Sequence, residues 1–216
     1  MPELALVERL GVSRTPVRTA LAKLLDEGLL DALPGGGYAV KAFSEADIRD
    51  AIEIRGTMEG LAARLAAERG IGPAMQRDLR DCLEAIDALL AAPSLSEASF
   101  DGYVVHNARF HALLAELAGS EVVRRQVERA AALPFASPNG FVLVRSSGPQ
   151  ARDVLVLAQE QHRAVVEAIV QREGARAEAL MREHARIAHQ NLREALGSRQ
   201  ALLRVPGGNL IRRSAR

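Results

Sequence analysis

Glu3-Leu4-Ala5-Leu6-Val7-Glu8-Arg9-Leu10-Gly11-Val12-Ser13-Arg14-Thr15-Pro16-Val17-Arg18-Thr19-Ala20-Leu21-Ala22-Lys23-Leu24-Leu25-Asp26-Glu27-Gly28-Leu29-Leu30 reads as two short amphipathic helices joined by a tight turn. Gly11 stands where a left-handed turn residue is needed. Ser13 suits the N-cap of the second helix, and Pro16 is tolerated because it falls in that helix's first turn. Val17, Leu21 and Leu24 form an apolar stripe at helical spacing, with Arg14, Thr15, Arg18 and Lys23 largely off it. A short helix packed across a second one that carries Ser, Arg and Thr at its N-terminal end is a helix-turn-helix. The second helix can offer those side chains to the phosphates and base edges of a major groove.

The next residues complete the motif. Gly28 ends the helix, and residues 29–33 are apolar enough for a strand. Pro34-Gly35-Gly36-Gly37 is a turn, and Tyr38-Ala39-Val40 returns as a second strand. This is a winged helix-turn-helix.

The run Gly11-Val12-Ser13-Arg14-Thr15-Pro16-Val17-Arg18, then Ala20-Leu21, Glu27-Gly28-Leu29 and the glycine turn, resembles the GntR family of bacterial transcription regulators over residues 1–43. The resemblance implies contacts to double-stranded DNA from Ser13, Arg14, Thr15 and Arg18, and from the wing at Gly36, where the family usually carries Arg. It also implies a helix ahead of the helix-turn-helix, so this chain is expected to be truncated or to start upstream of Met1. DNA binding should then be weaker than in a longer form.

Composition sets the remaining bounds. The 216 residues are 48% hydrophobic and 25% charged, with 3% aromatics and no Trp, as expected of a helix-rich globular protein. The formal net charge is +1. In the first domain Arg9, Arg14, Arg18, Lys23 and Lys41 balance Glu3, Glu8, Asp26, Glu27 and Asp31, so DNA binding must rest on where charges sit. Cys82 is the sole cysteine, excludes an internal disulfide, and reads as a small core residue beside Leu79, Leu83 and Ile86. No run is long enough to span a membrane and no signal peptide is evident, which points to the bacterial cytoplasm.

After the connector Lys41-Ala42-Phe43, Ser44 and Asp47 read as a capping box for a long helix whose apolar face is Ile48, Ile52, Ile54, Met58, Leu61 and Leu65, closed by Gly70. Further helices are expected over about 73–90, 96–118, 121–132, 152–173 and 174–196. Between the helices over 121–132 and 152–173, Pro134, Pro138, Gly140, Gly148 and Pro149 mark an irregular connection in which residues 141–144 are apolar. The fold class is thus mainly α: a winged helix-turn-helix over 1–43 and an all-α antiparallel bundle over 44–196. Residues 197–216, with Pro206-Gly207-Gly208 and terminal Arg212, Arg213 and Arg216, are expected to be disordered.

Five histidines occur, at 106, 111, 162, 184 and 189. Asn107 and His111 share a helix face. His162 lies twelve residues before Gly174 and His184 ten after it, so in an antiparallel hairpin their rings sit roughly 18 Å and 15 Å from the turn, at nearly the same height. If the helix of Asn107 and His111 packs beside them, three imidazoles and one amide oxygen converge as a site for a divalent metal, zinc or nickel. His106 and His189 point elsewhere.

Asn107–Leu114, Glu160–Val165 and Ala179–His184 resemble the FadR-type effector domain (FCD) of GntR regulators, as do Glu53-Ile54-Arg55, Glu59 and Ala62-Ala63. Many members have Asp where this chain has Asn107, so its metal site is expected to be weaker and Asn107→Asp to tighten it. Arg55 reads either as an anchor for an effector carboxylate or as the partner of Glu59, four residues on.

The reading is a ligand-responsive regulator that binds an inverted-repeat operator as a homodimer, a repressor released by a small organic acid. The alternative is a metal-dependent helical-bundle enzyme. Against it, there is no His-Glu-x-x-His, and Gln159 and Met181 stand three residues before His162 and His184, where di-iron bundles carry Glu.

Overall fold

The computed structural model describes residues 2–142 and 151–212. Helix α1 (Glu3–Leu10) ends at Gly11, whose φ of +65° confirms the left-handed turn. Helix α2 (Arg14–Asp26) follows and buries Val17 and Leu21, the stripe expected from spacing. Ser13 holds the N-cap position with extended backbone, but its side chain makes no cap hydrogen bond. Strands β1 (Leu30–Ala32) and β2 (Tyr38–Val40) pair antiparallel with Leu30 opposite Val40 and Ala32 opposite Tyr38. Gly36 and Gly37 lie at φ +86° and +87°, a backbone only glycine adopts without strain.

The bundle begins with α3 (Glu45–Arg69), where Ser44 and Asp47 form the full capping box. Helices α4 (Pro73–Leu90), α5 (Glu97–Leu117), α6 (Glu121–Ala132), α7 (Ala151–Val170), α8 (Gly174–Ala185) and α9 (Ile187–Gly197) follow. The helix expected over 174–196 is therefore two, separated at Arg186. The main core joins Ala63, Ala66, Leu79, Ile86, Phe110, Leu114, Val165, Ile169 and Met181, with Cys82 buried among them. Phe141 and Val142 are buried as expected. Leu143, Val144, Gly148, Pro149, Arg213 and Arg216 lie outside the described residues.

Helix α3 buries Ile48 and Ile52 as its hydrophobicity suggested and leaves Met58, Leu61 and Leu65 half-buried, but a second buried face was not expected. Ile54 is 49% exposed, while Arg55, Gly56, Glu59, Gly60, Ala62, Ala63 and Ala66 are buried. The reason is close approach. A Cβ at Gly56 would lie 2.6 Å from Ala185 Cβ, and one at Gly60 would lie 2.8 Å from Arg182 Cγ. Small residues let the α3 and α8 backbones meet, and Ile54, on another face, is left outside.

The expectation of a disordered C-terminal tail is corrected through Arg212. Ser198 caps a short helix, α10 (Arg199–Leu202), and a 3₁₀ turn covers Gly208–Leu210. Leu202, Val205 and Ile211 are buried with Phe43, Ile48, Ile52 and Leu192. Phe43 bonds through its backbone to Leu210 and Arg212, at 2.8 Å each. Pro206-Gly207-Gly208 is a tight turn that aims Ile211 back at Phe43, and the apolar residues around it supply the burial a disordered segment lacks.

Ile211 is 6% exposed, so Ile211→Ala should destabilise the protein by about 2–5 kcal/mol in urea titrations. A loose tail would give a change within about 0.5 kcal/mol.

Candidate functional site

Two groups of residues require a functional account. The first is the exposed N-terminal end of α2. Ser13, Arg14, Thr15 and Arg18 all face solvent. Arg18 Nε donates to the Glu3 carboxylate at 3.1 Å, an exposed ion pair of small energetic weight. Gly36 lies at the wing turn with nothing within 4 Å of a Cβ position, leaving backbone free to approach a partner.

The second group lies inside the bundle. Helix α5 supplies Asn107 and His111, α7 supplies His162, and α8 supplies His184, all buried. The matched heights inferred for His162 and His184 are realised: their Nε2 atoms are 3.1 Å apart. Single ligand atoms of His111, His162 and His184 all lie within 4.8 Å of one another. Phe110 packs against the His162 ring at a centroid distance of 4.0 Å. Asn107 lines the same small cavity as His111, His184 and Arg55. His106 and His189 stay outside the cluster; His189 reaches the Arg49 carbonyl and Glu53 instead.

The hydrogen bonds around the rings decide which nitrogens are free. Gln159 Nε2 donates to the Leu83 carbonyl and to Asp87, both at 2.9 Å, so its Oε1 is left to accept from His162 Nδ1. His111 Nδ1 lies 2.8 Å from Glu59 Oε1. Burial raises the Glu59 pKa, but the Arg55 guanidinium and His111 outweigh it and hold the carboxyl down at about 2, so it is ionised and can only accept. His184 Nδ1 faces Gln161 Oε1 at 3.2 Å. In this arrangement every Nδ1 has an oxygen partner, and the Nε2 atoms of His162 and His184 face each other. Orienting acceptors behind ligating imidazoles are the usual support of a metal site.

The donor set fits a divalent ion. Two imidazole nitrogens bound to one ion at about 2.1 Å each stand roughly 3.0–3.4 Å apart. The observed His162–His184 separation falls in that range. Without a cation two lone pairs face each other there, unless His184 changes tautomer. Burial, then the neighbouring rings, push the His162 pKa well below its ordinary value. Burial and His111 push His184 down to about 3, against the pull of Glu59. Both rings are thus neutral, the form a metal requires.

Arg55 forms the ion pair with Glu59, one of its two alternatives. Its Nη1 donates to Glu59 Oε2 at 2.8 Å, with the two side chains 2% and 1% exposed. Its Nε is buried without a hydrogen-bond partner, and the residue lines the cavity beside Asn107, His111 and His184. In the sequence Glu59 stands out only as a partner for Arg55. Its second role, orienting His111, needs the packing of α3 on α5 to appear.

A winged helix-turn-helix joined to a helical bundle with a small polar cavity is the architecture of a DNA-binding regulator. Comparison with known proteins agrees. Residues 50–187 match the FCD domain, and residues 1–40 match the bacterial regulatory proteins of the gntR family. The chain belongs to the GntR family, in the branch with an FCD domain, and is a DNA-binding transcription regulator rather than an enzyme. It is 28% identical to the HTH-type transcriptional repressor GlaR of Escherichia coli, over 83% of this chain and 79% of that protein. It is likewise 28% identical to a putative L-lactate dehydrogenase operon regulatory protein of Escherichia coli, over 95% of this chain and 83% of that one. Among solved structures it shares its fold with Lar, which controls the Listeria monocytogenes agr system, at TM-score 0.60 and 16% identity over 89% of this chain and 86% of that one. Escherichia coli McbR/YncC matches at TM-score 0.55 and 19% identity, over 89% and 87%. Among the described residues no helix is long and apolar enough to cross a membrane.

The depressed histidines give a signed pH dependence. Stability tied to neutral His162 and His184 is complete above their ordinary pKa of 6.5 and is lost as pH falls below it toward the folded values, about 3 for His184. Chelator-treated protein should therefore show a falling urea midpoint from about pH 7 to about pH 5, and His184→Gln should flatten that slope. A midpoint independent of pH over this range would contradict the buried neutral pair.

Proposed function

We propose that this regulator is a repressor whose bundle holds a divalent metal, zinc or nickel, on Asn107, His111, His162 and His184, and that a small organic acid binding there releases it from DNA. The supporting observation is three buried imidazoles whose ligand atoms lie within 4.8 Å of one another, each ring braced at Nδ1 by a side-chain oxygen. A bound cation would supply the partner these nitrogens lack and act as a Lewis acid toward a carboxylate. Arg55 supports the choice of an acid, because its buried Nε has no partner and it lines the cavity. The cavity is only about 30 Å³, room for a water or two, so even a short acid must displace lining side chains, and a longer one more of them. Kinship with a regulator named for an L-lactate dehydrogenase operon adds support for a small acid.

The domain division follows: residues 1–43 read DNA, and 44–196 sense and dimerise. Two protomers present their α2 helices to an inverted repeat, Ser13, Arg14, Thr15 and Arg18 meet the major groove, and the turn at Gly36 follows the minor groove. The acid changes the spacing of the two winged domains, the coupling being the difference in its affinity for the bound and released forms. The protein acts in the cytoplasm, where the operator is.

Metal analysis of untagged protein purified without chelator, with thermal melts before and after added zinc or nickel, tests the metal. No metal and no shift in melting would remove it. In band shifts on upstream fragments, Arg14→Ala or Arg18→Ala should cost about 1–3 kcal/mol if the residue reads a base. For a phosphate contact the loss should be uniform across sequences, with a shallower salt dependence. Arg55→Lys keeps the charge opposite Glu59 but loses the planar fork, so release by short carboxylates should need about tenfold more acid. An unchanged response would take Arg55 out of the effector site.

A further inference from the structure

The loop between α6 and α7 places Asn139 against Asn107. Asn139 Nδ2 donates to the Val104 carbonyl at 2.9 Å, and its Oδ1 lies 2.8 Å from Asn107 Nδ2. We propose that Asn139 is a positioning residue for the metal centre, holding the Asn107 side chain in the orientation that frees its oxygen for the ion. The proposal rests on the metal reading above.

The inference follows from donor and acceptor rules. A backbone carbonyl only accepts, so the Asn139 atom facing Val104 must be its NH₂. Its Oδ1 then faces Asn107 and can only accept, so Asn107 must present N–H there. The Asn107 oxygen is left on the other side, near Tyr103, whose hydroxyl donates toward it at 3.5 Å. Tyr103 lines the cavity that His111 and His184 also line. One carbonyl on α5 thus sets the orientation of two amides in succession. Asn139 is itself held by its backbone: its N–H donates to Ser137 Oγ at 3.3 Å and its carbonyl accepts from Val142 at 3.2 Å.

The arrangement changes what an acidic residue at position 107 would do. The Asn107→Asp substitution would set a carboxylate oxygen against Asn139 Oδ1. Turning the Asn139 amide over would only move the conflict, placing its oxygen against the Val104 carbonyl. The tightening that added negative charge should bring is therefore opposed in this chain, and it should emerge once position 139 no longer presents an oxygen. Because Asn139 is only half-buried, water can then donate to the carboxylate.

The test is a cycle of four full-length proteins: wild type, Asn139→Ala, Asn107→Asp and the double variant. Nickel and zinc affinities are measured by competition with a chelator, and melting temperatures in excess chelator. Asn139→Ala should weaken metal binding by about 10-fold or more, as loss of an orienting partner does. Asn107→Asp should fail to tighten binding in the wild-type background but tighten it in the Asn139→Ala background. With chelator, Asn107→Asp should lower the melting temperature by roughly 2–8 °C when Asn139 is present and by much less when it is absent. Equal tightening in both backgrounds, or wild-type affinity for Asn139→Ala, overturns the proposal. If wild type binds neither ion, the metal reading falls, and the chelated melts still decide the amide orientation: equal losses in the two backgrounds overturn it.

Discussion

The buried Glu59 carboxylate is the constraint on which the sensor domain depends. An ionised group in a bundle interior must have its oxygens occupied, or its desolvation costs several kcal/mol. Here Oε2 takes Arg55 and Oε1 takes His111. The second contact fixes the His111 tautomer, and the first keeps a guanidinium at the cavity wall. Removing the carboxylate would leave a buried cation uncompensated and one imidazole unbraced, so a single side chain ties fold stability to site geometry.

That arrangement is possible only because α3 approaches α8 closely. Gly56 and Gly60 leave no side chain between the helices, and the alanines that follow continue the flat surface into the main core. The approach sets His184 beside His162 and brings Glu59 into the field that His184 feels. Polar residues and small residues on one helix face thus act together, the small ones permitting the distance and the polar ones using it.

The wing and the bundle also share material. Phe43, at the end of the winged domain, packs with Ile48, Ile52 and Leu192 of the bundle and with Leu202, Val205 and Ile211 of the tail. Its ring meets Phe135, which stacks on Phe141, and Phe141 lines the cavity. Leu29, where the wing begins, packs on the same cluster, so the winged domain and the bundle meet through side chains as well as through the connector.

Much was legible from sequence because it is local. The turn at Gly11, the Val17–Leu21 stripe, the glycine wing and the Ser44 cap depend on neighbours a few residues away. The meeting of His162 and His184 was legible too, since a helical hairpin converts equal sequence distances from its turn into equal heights. Three things were decided only by tertiary packing. The second buried face of α3, with Arg55, Gly56, Glu59 and Gly60, is chosen by how near α8 comes, which hydrophobicity of single residues does not encode. The tail is ordered because Ile211 finds a pocket made by residues far earlier in the chain, Phe43, Ile48 and Ile52 among them, while its own composition reads as loose. The free nitrogens of the histidines follow from Gln159, Gln161 and Glu59. Of these only Gln159 lies near in sequence to the ring it faces; Gln161 reaches His184 across 23 residues of chain and Glu59 reaches His111 across 52. Hydrogen-bond direction belongs to the folded network, because a donor is defined by the acceptor it is given.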